Sequence, residues 1–245
     1  MYRSRILPEV TLKWAQTLDG QLADDADQSQ WISGIEERRY THRLRSTHQA
    51  VLVGAQTFLK DLCQLTVRDI EYDGPQPARV IIDPRGRVLA ALKHNPHLII
   101  NLQMGPRKTY LITDILEDYN DIDEKFDSSK LIRINYRFND FRQWLICVLH
   151  QLSLTFESSE NRRLKNLMVE GGATTLSEFL KAGLVDRLEV AISPLILGGT
   201  RHRVSSGLLL KNVDRFEVDS KEQLGTDILL RYKVNKATSL KGAMI

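Results

Sequence analysis

Leu167-Met-Val-Glu-Gly-Gly-Ala-Thr-Thr-Leu-Ser-Glu-Phe-Leu180 decides the fold class of this 245-residue chain. Leu167 to Val169 is a short apolar run, the mark of a buried strand end. Gly171-Gly172 follows at once, and Leu176, Phe179 and Leu180 then recur at helical spacing. The order is strand, glycine turn, helix. Two adjacent glycines let the backbone bend sharply and let a ligand approach with no Cβ in its way. Thr174, Thr175 and Ser177 lie where the helix begins, so free N–H groups and the helix dipole favour an anion there. Glu170 stands at the strand end, facing the crevice in which open α/β sheets bind ligands. The same residues also suit a plain connection whose glycines only make the turn, and alone they do not choose.

The flanking chain repeats the pattern. Ala50-Val-Leu-Val-Gly54 is a compact buried strand, and Ala55-Gln-Thr57 opens a helical turn behind it. Glu9 to Ala15 is rich in strand formers after the break at Pro8, and Thr17-Leu-Asp-Gly20 reads as a turn. Gln21 to Ser29 is a polar loop whose Asp24, Asp25 and Asp27 lack the spacing of a calcium loop. Ser33 and Glu36 form a capping box for a helix from Ile35 to Ser46. Its arginines, Arg38, Arg39, Arg43 and Arg45, predict a wet face, with Tyr40 and Leu44 as anchors.

Further on, Arg79 to Asp83, Leu98 to Leu102, Tyr110 to Thr113 and Leu131 to Asn135 read as strands. Asn120 to Lys130 is charged and exposed in this reading. Phe141, Trp144, Leu145, Val148, Leu149 and Leu152 form one helical stripe of core residues. Gly183 closes the helix after the central motif. A strand then leads to Pro194 and the glycine loop Leu195 to Thr200. Phe216 to Asp219 and Ile228 to Val234 make a terminal hairpin around Gly225. Strands alternate with helices, so the class is α/β, and no composition break divides residues 1–245 into two domains.

The bulk numbers narrow the function. The chain is 42% hydrophobic and 27% charged, with a net charge of +3 and no dense Lys/Arg block. Nucleic-acid binding is therefore disfavoured. Cys63 and Cys147 have no partner at metal-ligand spacing, which argues against a metal site and a disulfide framework and fits a reducing cytoplasm. No apolar run approaches the roughly 18 residues of a membrane span. The N-terminus lacks a signal pattern.

Seven blocks in order carry a resemblance. They are Val10-Thr-Leu-Lys-Trp-Ala-Gln-Thr-Leu-Asp-Gly20, Ser29-Gln-Trp-Ile-Ser33, His42-Arg-Leu-Arg45, Ala50-Val-Leu-Val-Gly-Ala-Gln-Thr57, Leu65-Thr-Val-Arg68, Val169-Glu-Gly-Gly172 and Pro194-Leu-Ile-Leu-Gly-Gly199. The chain resembles the pyrimidine reductase domain of riboflavin biosynthesis, which many bacteria fuse behind a zinc deaminase. The His-x-Glu and Pro-Cys-x-x-Cys signature of the deaminase is absent, so a stand-alone reductase is expected. The resemblance implies a dihydrofolate-reductase-like fold. That is a central, mostly parallel sheet with helices on both faces and a C-terminal antiparallel hairpin. It also implies a cytoplasmic homodimer that uses NADPH.

The implied reaction reduces the ribosyl group of 5-amino-6-(5-phosphoribosylamino)uracil to a ribityl chain. The non-deaminated diamino-pyrimidinone compound, or a pterin or carbonyl compound, is the alternative substrate. A catalytically silent nucleotide-binding relative is the rival of another class. By resemblance Ala15, Trp31, Thr57 and Asp61 touch the cofactor, and Gly171, Gly172, Ala173, Thr174 and Thr175 hold its pyrophosphate. Ser29, Arg45, Leu65, Arg68 and Glu170 hold the substrate, the arginines suiting its phosphate. Lys13, Asp61 and Glu170 are the ionisable candidates for proton transfer.

Two departures stand out. The family usually shows Asp-Asp-Pro where this chain has Asp61-Leu62-Cys63, so an acid and a stiffening ring are missing. Asp83-Pro84 replaces a small hydroxyl residue, with Arg85 and Arg87 nearby to meet a 2′-phosphate.

Overall fold

The computed structural model describes residues 7–26, 32–95, 97–105, 107–114, 127, 130–135, 140–199, 202–204 and 216–234. In chain order the described elements begin with β1 (Glu9–Thr17), α1 (Ile35–Ser46), β2 (Ala50–Gly54), α2 (Ala55–Asp61) and β3 (Ala78–Asp83). Then come α3 (Arg87–His94), α4 (Leu98–Gln103), β4 (Thr109–Thr113), β5 (Leu131–Asn135) and α5 (Phe141–Glu160). The last are β6 (Asn166–Glu170), α6 (Ala173–Lys181), β7 (Arg187–Ser193), β8 (Phe216–Leu224) and β9 (Asp227–Val234). The chain divides into two compact units. One comprises residues 1–8 and 42–168, the other residues 9–41 and 169–245.

In the first unit β5, β4, β3 and β2 lie side by side and all parallel. Every residue of β2, β3 and β4 is buried. Strands buried on both faces read as unbroken apolar runs, which is why Val51-Leu-Val53 and Val80-Ile-Ile82 show no alternation. Phe58, Val88, Leu89, Leu92, Leu98 and Leu102 from the helices pack with Val51, Val53, Ile81 and Leu111 from the sheet. Each such side chain contributes roughly 1.5–3 kcal/mol on burial. The stripe on α5 is core as expected: Trp144, Leu145, Val148, Leu149 and Leu152 are buried and Phe156 extends it, while Phe141 is exposed. Asp140 caps this helix, accepting from the Gln143 amide at 2.8 Å.

Two helices depart from the expectation. Leu98 to Leu102 is α4, not a strand. Leu98 and Leu102 are buried, four residues apart on one helical face, while Ile100 between them is 60% exposed. A buried strand would have hidden all of them, and a short apolar run does not itself distinguish the two. The other helix, α3, follows Pro84-Arg-Gly86 and is not among the elements expected from the sequence. It is held at its start by Asp83. One carboxylate oxygen accepts from the Arg87 amide at 2.9 Å and the other from the Val88 amide at 2.7 Å. Gly86 makes the turn in the left-handed region, at φ 65°.

In the second unit β1 runs parallel to β7, and β7 pairs antiparallel with β9. β8 and β9 form a hairpin whose two-residue turn, Gly225-Thr226, starts at φ 62°. The terminal hairpin is thus where the sequence puts it, with β8 longer than expected. β6 carries the chain from the first unit into the second. Behind it, α6 ends in a Schellman turn. The Gly183 amide bonds the Leu180 carbonyl at 3.0 Å and the Leu184 amide bonds that of Phe179 at 3.2 Å. Ser33 does not cap α1. Its hydroxyl goes to Glu37 at 2.7 Å, and Gly34 supplies the first helical carbonyl.

The Asp83 carboxylate is buried, and that burial raises its pKa against the opposing bonds from Val88 and Arg87. Asp83→Ala orphans two helix N–H groups. It should lower stability by about 1–2 kcal/mol, seen as a lower urea midpoint with an unchanged slope. An unchanged midpoint would show that the cap contributes nothing.

Candidate active site

The strand–glycine–helix junction lies in the second unit. β6 ends at Glu170, and α6 starts at Ala173 after Gly172, which has φ −69° and ψ 165° and no side-chain cap. Neither Gly171 nor Gly172 takes a positive φ. The turn from β6 into α6 is therefore made without the left-handed conformation that favours glycine. What Gly171 supplies is the lack of a side chain at the strand end. A Cβ added at Gly171 would meet Thr175 Cβ at 3.5 Å, an ordinary contact. The first-turn amides of a helix have no partner within it. Over an uncapped, dipole-positive start they form a seat for a phosphate group. Thr174 is exposed, Ala173 and Thr175 are half-buried, and Glu170 is half-buried at the strand end.

Lys13, also in the second unit, is on β1 in register with Glu189, and Ala15 is in register with Ala191. The Lys13 Nζ lies 2.5 Å from Glu37 Oε1, with the two side chains 9% and 2% exposed. Ser33 and Thr41 hydroxyls also donate to Glu37, at 2.7 Å and 3.1 Å. Burial alone would raise the Glu37 carboxyl. The Lys13 charge and the bonds from Lys13, Ser33 and Thr41 outweigh it and hold that carboxyl below its ordinary value. Beside this pair the Tyr40 hydroxyl donates to Glu189 at 2.9 Å and accepts from Arg231 Nε at 3.1 Å. The Arg231 guanidinium lies 4.9 Å over the Tyr40 ring. Burial, opposed by Arg231, pushes the Tyr40 phenol up to about 12.

Glu37 and Glu189 were absent from the sequence-derived set. A signal for Glu37 existed. Glu37, Thr41 and Arg45 recur every four residues, so one face of α1 is polar and periodic. That face is the buried one: Glu37, Thr41, His42 and Arg45 are all buried, while Arg39 and Arg43 are exposed. The expectation of a wet arginine face fails at Arg45.

In the first unit the structure brings Arg45, Arg68 and His42 together around Thr66. Arg45 Nη1 donates to the Thr66 carbonyl at 3.0 Å, and Arg68 Nη1 to the Thr66 hydroxyl at 3.3 Å. His42 Nδ1 lies 3.0 Å from the same carbonyl, and Nε2 lies 3.4 Å from Asp69. Burial, then the Arg45 and Arg68 charges, depress the His42 pKa. Arg68 itself is exposed. Leu65 is 3% exposed, packs in the core and has φ 56°, so its side chain is closed to a ligand. Thr57 lies in the first turn of α2. Asp61 is four residues on, on the same face and exposed. Ser29 and Trp31 lie outside the described residues, as does most of the charged stretch from Asn120 to Lys130.

Among the described residues no cluster of three or more His, Cys, Asp or Glu could hold a metal ion. No described helix is long and apolar enough to cross a membrane.

Comparison with known proteins agrees with this geometry. The profile of the RibD C-terminal domain matches residues 8–230. The riboflavin biosynthesis protein RibD of Aquifex aeolicus is 35% identical over 236 residues, covering 95% of this chain and 59% of that protein. The chain thus spans little more than half the length of such relatives. The 2,5-diamino-6-ribosylamino-4(3H)-pyrimidinone 5′-phosphate reductase of Methanothermobacter thermautotrophicus is 30% identical, with 93% of this chain and 98% of that protein covered. The solved structure of Acinetobacter baumannii RibD superposes with a TM-score of 0.71 at 26% identity, covering 95% of this chain and 59% of that one. The mostly parallel α/β fold with its C-terminal antiparallel hairpin, the uncapped helix start behind Glu170 and the profile match lead to one assignment. This chain belongs to the RibD C-terminal domain family.

Proposed function

We propose that residues 1–245 act as one cytoplasmic reductase domain that uses NADPH. It reduces the ribosyl group of 5-amino-6-(5-phosphoribosylamino)uracil to the ribitylamino product. The observation that carries this reading is the uncapped start of α6 behind Gly171 and Gly172, which fits the pyrophosphate of a dinucleotide. The names of the relatives and the retained Lys13, Asp61, Arg45, Arg68 and Glu170 support it. A homodimer is carried over from the resemblance.

When bound, NADPH supplies a hydride for C1′ of the opened sugar. The chain's own residues do the rest. Gly171 to Thr175 hold the pyrophosphate, and the Ala15 backbone holds the nicotinamide amide. Thr57 and Asp61 also touch the cofactor, and Asp61 remains a proton-transfer candidate. Trp31 packs along the cofactor and Ser29 contacts the substrate, both by resemblance. Arg45 and Arg68 bind the substrate phosphate, Arg68 exposed and Arg45 with its guanidinium held by Thr66. Leu65 offers its backbone. Glu170 orients the open ribose. Lys13 holds a proton for the substrate nitrogen, and Glu37 fixes the position of its ammonium group. A positioned acid of this kind is worth about 10²–10⁴ in rate.

The Methanothermobacter relative, matched over 98% of its length, favours a second reading. In that reading the substrate is the non-deaminated pyrimidinone. The loss of reduced-nicotinamide absorbance with each compound decides. Turnover should be faster with the uracil form. The reverse ratio selects the second reading, and NADPH binding without turnover of either selects a silent relative.

Gly171→Ala should leave the thermal midpoint unchanged, because its Cβ meets only Thr175. It should weaken NADPH binding about tenfold, near 1.4 kcal/mol. An unchanged dissociation constant would remove the pyrophosphate assignment.

Glu37→Gln leaves Lys13 buried and unpaired and should cost about 3–5 kcal/mol of stability. Glu37 has a depressed folded pKa, so its contribution is complete above the ordinary value of 4.5 and disappears as pH falls through the lower folded value. The variant's stability should therefore vary less with acidification below about pH 4.5 than wild type. Parallel acid limbs in the two proteins would show that Glu37 is not the titrating group. The double variant Lys13→Met/Glu37→Leu should regain stability but not turnover, and a fully active double variant would exclude Lys13 from catalysis.

A further inference from the structure

The segment from Leu62 to Arg68 has no regular structure. Leu62 has φ 44°, Leu65 φ 56° and the adjoining Asp69 φ 58°, in the left-handed region that side chains avoid. This is also the segment where the proline of the resembling family is missing. Its carbonyls are nevertheless taken up almost one after another. Arg79 Nη1 donates to Cys63 O at 3.4 Å, Arg107 Nη2 to Gln64 O at 2.5 Å and Arg45 Nη1 to Thr66 O at 3.0 Å. Gln76 then binds the Val67 amide at 2.7 Å and its carbonyl at 3.0 Å.

The two arginines not implicated by resemblance are themselves fixed. Arg79 Nη2 reaches the carbonyls of Asn101 and Leu102, in the last turn of α4, at 2.6 Å each. Its Nε reaches the Thr109 hydroxyl at 3.1 Å, and the guanidinium sits 5.5 Å over the Phe58 ring. Arg107 uses its other terminal nitrogen on the Pro77 carbonyl. Among the described residues neither Arg79 nor Arg107 has a carboxylate partner. Burial, then the Arg79 and Arg45 charges, push the Arg107 guanidinium down to about 9.

We propose that Arg79 and Arg107 are positioning residues for substrate binding. By holding the carbonyls of Cys63 and Gln64 they fix the strained segment, and so fix where Arg68 presents its guanidinium to the substrate phosphate. The inference rests on the reading of Arg68 as a phosphate ligand. A planar fork with several donors holds two separate backbone carbonyls at once in a fixed geometry, where a lysine ammonium offers three rotatable donors from a single atom. Rigidity that a proline ring would give to the unbound chain is here given to the folded one. The guanidiniums also remain without carboxylates, so their charge favours an arriving anion rather than an internal partner.

Arg79 is fully buried and its replacement endangers folding, so the half-buried Arg107 carries the test. Arg107→Gln should make the amides of residues 63–68 exchange about tenfold faster with solvent while the other strands keep their protection. It should raise KM for the phosphorylated substrate about tenfold and leave kcat and the NADPH dissociation constant within about twofold. KM for the dephosphorylated substrate should not move. Arg107→Lys should recover part of both effects. Unchanged exchange, or equal KM increases for the two substrates, overturns the proposal. If wild type turns over neither pyrimidine, the functional reading fails by itself. The positioning role is then read from inorganic phosphate, whose dissociation constant should rise about tenfold in Arg107→Gln. An equal constant in both proteins overturns it.

Discussion

A buried ionised group needs a counter-charge or a full set of hydrogen bonds, and helix α1 is built around that requirement. Its hidden face is Glu37, Thr41, His42 and Arg45 rather than leucines. Each of these dictates a neighbour. Glu37 requires Lys13 on β1 and two hydroxyls. Arg45 and His42 require the carbonyl of Thr66. Removing one partner leaves the other buried alone, which is far more costly than an exposed pair would be. Within the second unit the ion pair therefore specifies where β1 sits against Glu37, and within the first the bound carbonyl specifies where the Thr66 segment sits against Arg45.

The candidate groups fall into two chemical types by environment. In the second unit, Lys13 in the middle of β1, Glu37 in the first turn of α1 and Glu170 at the end of β6 are groups whose charge can change. In the first, Arg45 and Arg68 are permanent cations, and burial and then their charge lower the pKa of His42. Permanent cations suit a permanently anionic ligand. A proton-transfer group needs the opposite, a carrier whose charge can change.

Much of this was legible in the chain alone. Strand β2, helix α5, the junction at Glu170 and the terminal hairpin follow from apolar periodicity and glycine placement, because those signals are local. Helix α4 was not legible, since Leu98 to Leu102 is too short for period to separate strand from helix. Only the exposure of Ile100 settles it. Helix α3 was hidden because its start is made by Asp83, which looks like a strand terminus until its carboxylate is seen on two amides. The burial of Arg45 was missed because charge is a poor guide to exposure when the partners come from distant sequence. Of the two properties read from Gly171 and Gly172, a positive φ is not used at either position. Arg79 and Arg107 carried no sequence signal at all, since backbone carbonyls leave no trace in residue identity.

The Asp83 cap has one further consequence. α3 and α6 both begin behind a glycine and a strand, and both would attract an anion by the same dipole. In α3 the chain's own carboxylate already occupies the first amides, bonded from both oxygens. α6 begins at Gly172 with no side-chain cap. A single acidic residue thereby makes two similar helix starts unlike: one is closed by its own chain, and the other has no side chain across it.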